Sequence, residues 1–226
     1  MDAARRFLWV GRASSFCLAI LAVPSSALAD GLYFRLDVGA LAEHSSYTRN
    51  DETLGNRVFP SPSLFAKRTV TAIGAGPTLR ADLGWAIRPD VVLALSAEGS
   101  YVGSLSSSGS FDGRTPQGWL RIGLGPSAIV RVAPKVTVRF GCAYVAAQGT
   151  GSGDLVSYGP DDTYMPETLT GVALHGGVAW DLFLSKHVGL GPALRLDLAR
   201  LSSGRIDGAS TLTIASLSLT FGVFFR

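Results

Sequence analysis

The sequence predicts an all-β protein, an eight-stranded antiparallel up-and-down barrel that crosses a membrane with its strands. Three observations carry that expectation. Beyond residue 30 the hydrophobic pattern has period two in place of 3.6. It runs over eight segments, most of about 11–16 residues, whereas strands of soluble sheets usually hold five or six. Tight and long connections alternate between those segments. Finally, only 16% of the 226 residues are charged, below the roughly 25% of a typical soluble domain. No apolar run reaches the roughly 18 residues that a spanning helix needs. Disorder and a helical membrane bundle are both excluded by this composition.

Residues 1–29 read as a secretory signal peptide. Arg5, Arg6 and Arg12 form a basic region, residues 16–23 a short apolar stretch, and Ala27-Leu28-Ala29 the small-x-small cleavage pattern. The mature chain is then 30–226, one domain. Pro24 interrupts the apolar stretch, which argues against a retained anchor helix. The whole chain has a net charge of +3. The leader carries three Arg and one Asp, so its removal takes away two charges and leaves the mature chain near neutral. No nucleic-acid partner follows from the basicity. Cys17 leaves with the leader, and Cys142 alone cannot form an internal disulfide.

The first strand sets Leu32, Phe34, Leu36, Val38 and Ala40 against Tyr33, Arg35, Asp37 and Gly39. Six alternating segments follow, near residues 69–87, 91–103, 118–132, 136–147, 169–184 and 187–201. The last strand sets Leu217, Leu219, Phe221, Val223 and Phe225 against Ser216, Ser218, Thr220 and Gly222. Ile87-Arg88-Pro89-Asp90, Val132-Ala133-Pro134-Lys135 and Ser185-Lys186-His187 are tight turns. The connections near 43–68, 104–117, 148–168 and 202–209 are longer and rich in Ser, Gly, Asp and Thr. Short turns at one end and long loops at the other mark a transmembrane barrel. Gly-x-Gly-Pro recurs at 74–77, 123–126 and 189–192. Proline forfeits a ladder hydrogen bond, so local bends with the register kept are expected there.

One parity is polar and the other apolar. The polar parity carries Arg35, Asp37, Arg80, Asp82, Glu98, Arg121, Arg139, His175, Asp181, Arg195 and Asp197 among small residues. Mixed charges beside Gly, Ala and Ser suit a narrow lumen plugged by ion pairs. Unpaired buried charges cost several kcal/mol each, so Arg35/Asp37, Arg80/Asp82 and Arg195/Asp197 are expected to be cross-linked between strands. The opposite parity is Leu, Val, Ile, Ala and aromatics, which suits lipid. Trp85 and Trp180 on that parity lie near the short-turn ends, and Tyr101 and Tyr144 near the long-loop ends, as two interfacial girdles would. The alternative is a soluble barrel with a solvated charged exterior and an apolar ligand cavity.

The leader, the eight strands and the closing Leu-Thr-Phe-Gly-Val-Phe-Phe-Arg resemble the small bacterial outer-membrane β-barrels of the OmpA/OmpX type, over all of 30–226. The resemblance implies a porin-like fold in a Gram-negative envelope, contact with the lipid bilayer and lipopolysaccharide, and insertion by the barrel-assembly machinery. That machinery reads a terminal strand ending in an aromatic. Phe225 would fill that role and join the girdle, although the last residue is Arg226.

No nucleotide loop, zinc signature or nucleophile elbow is present, and no cofactor or metal is expected. His44-Ser45-Ser46 sits at the outer rim, where lipid A-modifying enzymes of this architecture keep a His/Ser pair. A triad needs a base in reach of its nucleophile and an orienting carboxylate, so a polar loop start is the simpler reading. His175 faces the lumen and His187 a turn. Asp154, Asp161 and Asp162 lack an EF-hand's spacing. Lys67, Arg68, Arg114, Arg200 and Arg205 lie near the outer rim, where they could pair with lipopolysaccharide phosphates or only solvate loops. An eight-stranded barrel is just wide enough for side chains to fill. The expected role is therefore structural or surface-interacting, in envelope integrity or adhesion, and non-enzymatic. A narrow channel for small or hydrophobic solutes and a lipid A enzyme are the alternatives.

Overall fold

Antiparallel neighbours in sequence are neighbours in space all the way round. The computed structural model describes residues 31–50, 67–108, 118–150, 156–158, 164–166, 168–185, 187–203 and 210–225. The wall is built from β1 (Leu32–Asn50), β2 (Lys67–Arg88), β3 (Val91–Ser108), β4 (Gly118–Ala133), β5 (Val136–Thr150), β8 (Thr168–Trp180), β10 (Val188–Ser202) and β11 (Thr211–Phe225). The pairing order is β11-β1-β2-β3-β4-β5-β8-β10, and β10 pairs β11 to close the circle. A short hairpin, β6 (Val156–Tyr158) with β7 (Tyr164–Pro166), stands in the β5–β8 connection. After a break at Asp181, β9 (Leu182–Phe183) continues β8 along β10.

The register fixes the tilt. From Thr69 the rung passes through Thr48, Thr211, Ser202, Thr170, Ala146, Ile122 and Gly99 and returns to β2 at Leu79. It arrives ten residues from where it left. That stagger over eight strands inclines them by about 40° to the barrel axis, within the usual range for closed barrels. The tight connections after β2, β4 and β9 all lie at one end, with both termini of the closing pair. Backbone bonds lock that end, Ala86 N–H to Gly31 O (2.7 Å) and Asp181 N–H to Lys135 O (2.8 Å).

Several strands run further than their periodicity suggested. β1 continues to Asn50 and β2 begins at Lys67, so 43–50 and 67–68 are wall and not loop. β3 likewise reaches Ser108 and β5 Thr150.

At the Gly-x-Gly-Pro sites the register is kept. The β2–β3 pairing lapses between Ala75/Gly103 and Thr78/Ser100 and resumes in phase, as does β4–β5 between Leu124/Tyr144 and Ser127/Gly141. On β10 the pairing passes from β9 at Leu190/Leu182 to β8 at Ala193/Ala179 without a shift. The residues facing Pro77, Pro126 and Pro192 are thus Tyr101, Cys142 and Trp180. A Cβ on Gly76, Gly125 or Gly191 would fall on the carbonyl oxygen of that same facing residue. With no proline N–H to bind, the facing carbonyl turns into the space that only the preceding glycine leaves open.

Candidate functional site

The barrel has two candidate surfaces, its filled lumen and its outer wall, and the alternation of side chains assigns residues to each. All eleven of the polar-parity residues named from the sequence lie on the inner face, most of them buried.

At the short-turn end Tyr33, Val92, Ala94, Ile129 and Phe224 form an apolar seal, with the Arg35 guanidinium 5.5 Å from the Phe224 ring centroid. Above it lies a connected ion network. Arg35 donates through Nε to Asp37 Oδ1 (2.7 Å) and through Nη1 to Asp181 Oδ1 (2.7 Å). Arg139 Nη1 bridges Asp37 Oδ2 (2.9 Å) and Asp82 Oδ2 (3.0 Å). Arg80 donates to Asp82 Oδ1 (2.8 Å) and Ser96 Oγ (3.0 Å), and Ser96 donates to Asp82 Oδ1 (2.6 Å) while meeting Ser127 Oγ at 2.7 Å. A second layer joins Arg195 to Glu98 and Asp197, and Arg121 to Glu43 (3.1 Å) and Ser100 (3.1 Å). The pairs Arg35/Asp37, Arg80/Asp82 and Arg195/Asp197 bond within their own strands. These pairs are linked to other strands through Asp181, Arg139, Ser96 and Glu98, and Arg121 joins β4 to β1 and β3.

His175 is buried beside this network with no hydrogen-bond partner on either ring nitrogen. It lines, with Asp37, Arg80, Arg139 and Arg195, a cavity of about 20 Å³, room for roughly one water. Two further cavities, one beside Trp119 near the rim and one beside Phe224 at the short-turn end, are of about 10 and 20 Å³.

Above the ions the lumen turns apolar. Tyr47, Trp119, Leu169, Leu201, Leu212 and Ile214 pack as one cluster, Tyr47 and Trp119 with ring centroids 6.0 Å apart. On β8, β10, β11, β1 and β2 the outer face changes in the opposite sense. On β11 it passes from Phe221, Leu219 and Leu217 to Thr213 and Thr211, while the inner face passes from Ser218 and Ser216 to Ile214 and Leu212. On β10 outward Leu194, Leu196 and Leu198 give way to Arg200 and Ser202, as inward Arg195 and Asp197 give way to Ala199 and Leu201. The two faces exchange polarity part-way up the strand. Below the exchange these five strands are apolar outside and polar or ionic inside; above it their order is that of a soluble barrel, while Leu105 on β3 and Leu120 and Ile122 on β4 keep the upper outer face apolar.

The outward aromatics bracket the lower zone. Trp85 and Trp180 are exposed near the short-turn end, and Tyr101 and Tyr144 higher up. Trp85 faces Leu93 and Trp180 faces Val136, and each tyrosine stands eight residues further along the strand of that partner. Eight residues of strand at that tilt rise about 20 Å, close to the roughly 25 Å apolar band of outer-membrane barrels. Phe225 is outward and half-buried, 6.1 Å from Phe34 between ring centroids.

His44 lies within β1, not at a loop start. It faces outward beside outward Ser46, while Ser45 faces the lumen. Their cross-strand neighbours are Ile73 and Ala215 for His44, Thr71 and Thr213 for Ser46, so none of these described neighbours is a carboxylate that could orient a base. Arg200 is outward and exposed. Lys67 and Arg68 open β2, without described side chains. The leader, Arg114, Arg205, Asp154, Asp161 and Asp162 lie outside the described residues. Glu43, Ser96, Ser127 and the apolar upper lumen were missed in the sequence. Glu43 lay in a segment read as loop, and the two serines resembled the small residues around them.

No family model matches the chain, and no curated protein does. Among solved structures the chain is similar to the outer membrane protein AlkL, at 13% identity and a TM-score of 0.50, over 87% of this chain and 90% of that one. It is also similar to neisserial surface protein A, at 18% identity and TM-score 0.42 (87% and 97% covered), and to OprG of Pseudomonas aeruginosa, at 13% and 0.44 (87% and 97%). At these identities the likeness is one of fold. The chain has the eight-stranded closed architecture of the small outer-membrane barrels.

Proposed function

We propose that this protein is an integral outer-membrane barrel with a structural or surface-interaction role, and that it is neither a pore nor an enzyme. The observation that carries the reading is the exchange of polarity between the two faces. Five strands that are leucine-rich outside beside an arginine–aspartate lumen, then threonine-rich outside and leucine-rich inside, fit one environment, a lipid slab with water beyond it. A soluble barrel keeps its apolar face inward throughout. Fold alone assigns no function, so the rest of the reading stands on the lumen. Two ion layers lie between two apolar clusters, and the cavity beside His175 within them holds about 20 Å³, too small to pass a solute; this supports a plugged lumen. The long-loop end, built on wall that extends beyond the tyrosines, is then the part available to partners outside the cell. Export by the leader and insertion by the barrel-assembly machinery through the strand ending at Phe225 belong to the same reading.

The test is gel mobility of the outer-membrane fraction, boiled against unboiled, followed by planar-bilayer conductance. A heat-dependent shift with no steady conductance is expected. Recovery of the protein in the soluble periplasm would overturn the placement, and stable single-channel steps would overturn the plugged lumen.

A further inference from the structure

Arg139 and Arg195 belong to different ion layers, yet they flank one residue. Arg139 on β5 faces Gly177 on β8, and Gly177 faces Arg195 on β10. Two strand spacings set the two stems about 10 Å apart at the backbone. Gly177 lines, with both arginines, the cavity of about 20 Å³. His175, two residues along β8 on the same inner face, also lines it. Carboxylates take the Nη atoms of both guanidiniums, Asp37 and Asp82 at Arg139 Nη1, Glu98 and Asp197 at Arg195 Nη2. The Nε atoms are left over. Arg139 Nε, Arg195 Nε and both ring nitrogens of His175 are buried with no hydrogen-bond partner among the described residues. Each Nε carries one N–H, and an imidazole carries at least one. Three unserved donors thus belong to side chains lining one cavity. Of the charged groups around it, Arg80, Arg139 and Arg195 are cationic and Asp37 alone is anionic. Both Asp37 oxygens already accept from arginines. The other inner carboxylates, Glu43, Asp82, Glu98, Asp181 and Asp197, do not line it.

We propose that this cavity binds a small monovalent anion, a halide of the size of chloride, which ties the two ion layers together. A single water accepts two hydrogen bonds and has two of its own to donate, so it would leave one of the three donors unserved. A halide is little larger than water, accepts from every side and donates nothing. It gains charge-assisted bonds from two guanidiniums. Phosphate, sulfate and organic carboxylates exceed the volume. The inference rests on the plugged lumen proposed above and adds a fixed counter-ion to it.

The experiment refolds the full barrel in chloride, bromide or sulfate at one ionic strength, so that screening is constant. Urea unfolding is then scored by unboiled gel mobility, and planar-bilayer conductance is recorded on the same samples. A ligand at about ten times its Kd lowers the unfolding constant about tenfold, and that is the expected gain of chloride or bromide over sulfate. Sulfate strengthens burial in general, so the gain runs against the nonspecific salt effect. His175→Leu should abolish the halide dependence, while Arg200→Gln on the outer wall should keep it. Crystals grown in bromide should show anomalous scattering inside the lumen between Arg139, Arg195 and residue 175. Equal stability of the wild type in chloride and sulfate overturns the proposal. So does an undiminished halide dependence in His175→Leu, or bromide found only on the outer surface. If the heat-dependent gel shift and the absence of conductance persist in those cases, the plugged-barrel reading survives; steady single-channel steps would take both.

Discussion

Replacing Arg139 with methionine tests whether the lumen is dry. Arg139 is 5% exposed, and its Nη1 bridges Asp37 and Asp82 at 2.9 and 3.0 Å. The substitution keeps an unbranched apolar stem and removes the cation shared by two buried carboxylates. Taking away one partner of a buried ion pair costs about 3–5 kcal/mol, because the remaining charge stays desolvated. Here Asp37 keeps Arg35 at 2.7 Å, and Asp82 keeps Arg80 at 2.8 Å and the Ser96 hydroxyl. The expected loss is therefore near the lower end, about 3 kcal/mol. Arg139→Lys, which retains a charge within reach, should recover part of it, while Arg200→Gln on the outer wall should stay within about 0.5 kcal/mol of wild type. The assay is equilibrium urea unfolding in a fixed lipid or detergent system, with the folded fraction scored by unboiled gel mobility. If Arg139→Met unfolds within about 0.5 kcal/mol of wild type, water reaches Asp37 and Asp82, and the account of a plugged lumen is wrong.

Other consequences follow from the same geometry. Gly191→Ala places a methyl group on the Trp180 carbonyl and should prevent assembly or cost more than the roughly 1–3 kcal/mol of ordinary overpacking, whereas Gly99→Ala, with nothing within 4 Å of the new atom, should fold normally. Comparable yields of folded protein from both would remove the proposed role of the Gly-Pro pairs. In chains left with a single tryptophan, brominated acyl chains should quench Trp85 and Trp180, which are 51% and 56% exposed, and spare Trp119 at 4%; strong quenching of Trp119 would reverse the assignment of faces. Leu219→Arg, placing a charge on the lipid face of β11 where the side chain is 64% exposed, should destabilise the barrel by about 2–4 kcal/mol. In water such a position would tolerate arginine, so a neutral result in the same urea titration speaks for a soluble barrel.

Strand number, antiparallel order and the sense of each face were legible because they depend on alternation, which is local. What hid the upper wall was a change of phase. In β1 the apolar residues sit at even positions through Ala40, but beyond it the inner, odd positions hold Leu41 and Tyr47 while His44, Ser46 and Thr48 face out. Period two never stops, yet the hydrophobic parity reverses, and a reversal reads as the end of a strand. Glu43 was lost for that reason, and His44 was read as lying on a loop. Around Ser216 in β11 the same reversal separates Leu212 and Ile214 from Leu217 and Leu219.

The sequence by itself determined that the chain alternates, that charges and hydrocarbon fall on opposite faces, and that tight turns gather at one end, since each follows from the two-residue repeat of an extended backbone. Only the closed barrel decided which charges meet. Arg139 finds Asp37 and Asp82 from 102 and 57 residues away, and Arg35 finds Asp181 across 146. Those partnerships are set by the ten-residue stagger with which the circle closes. That stagger is a property of all eight pairings taken together, so no single segment carries it.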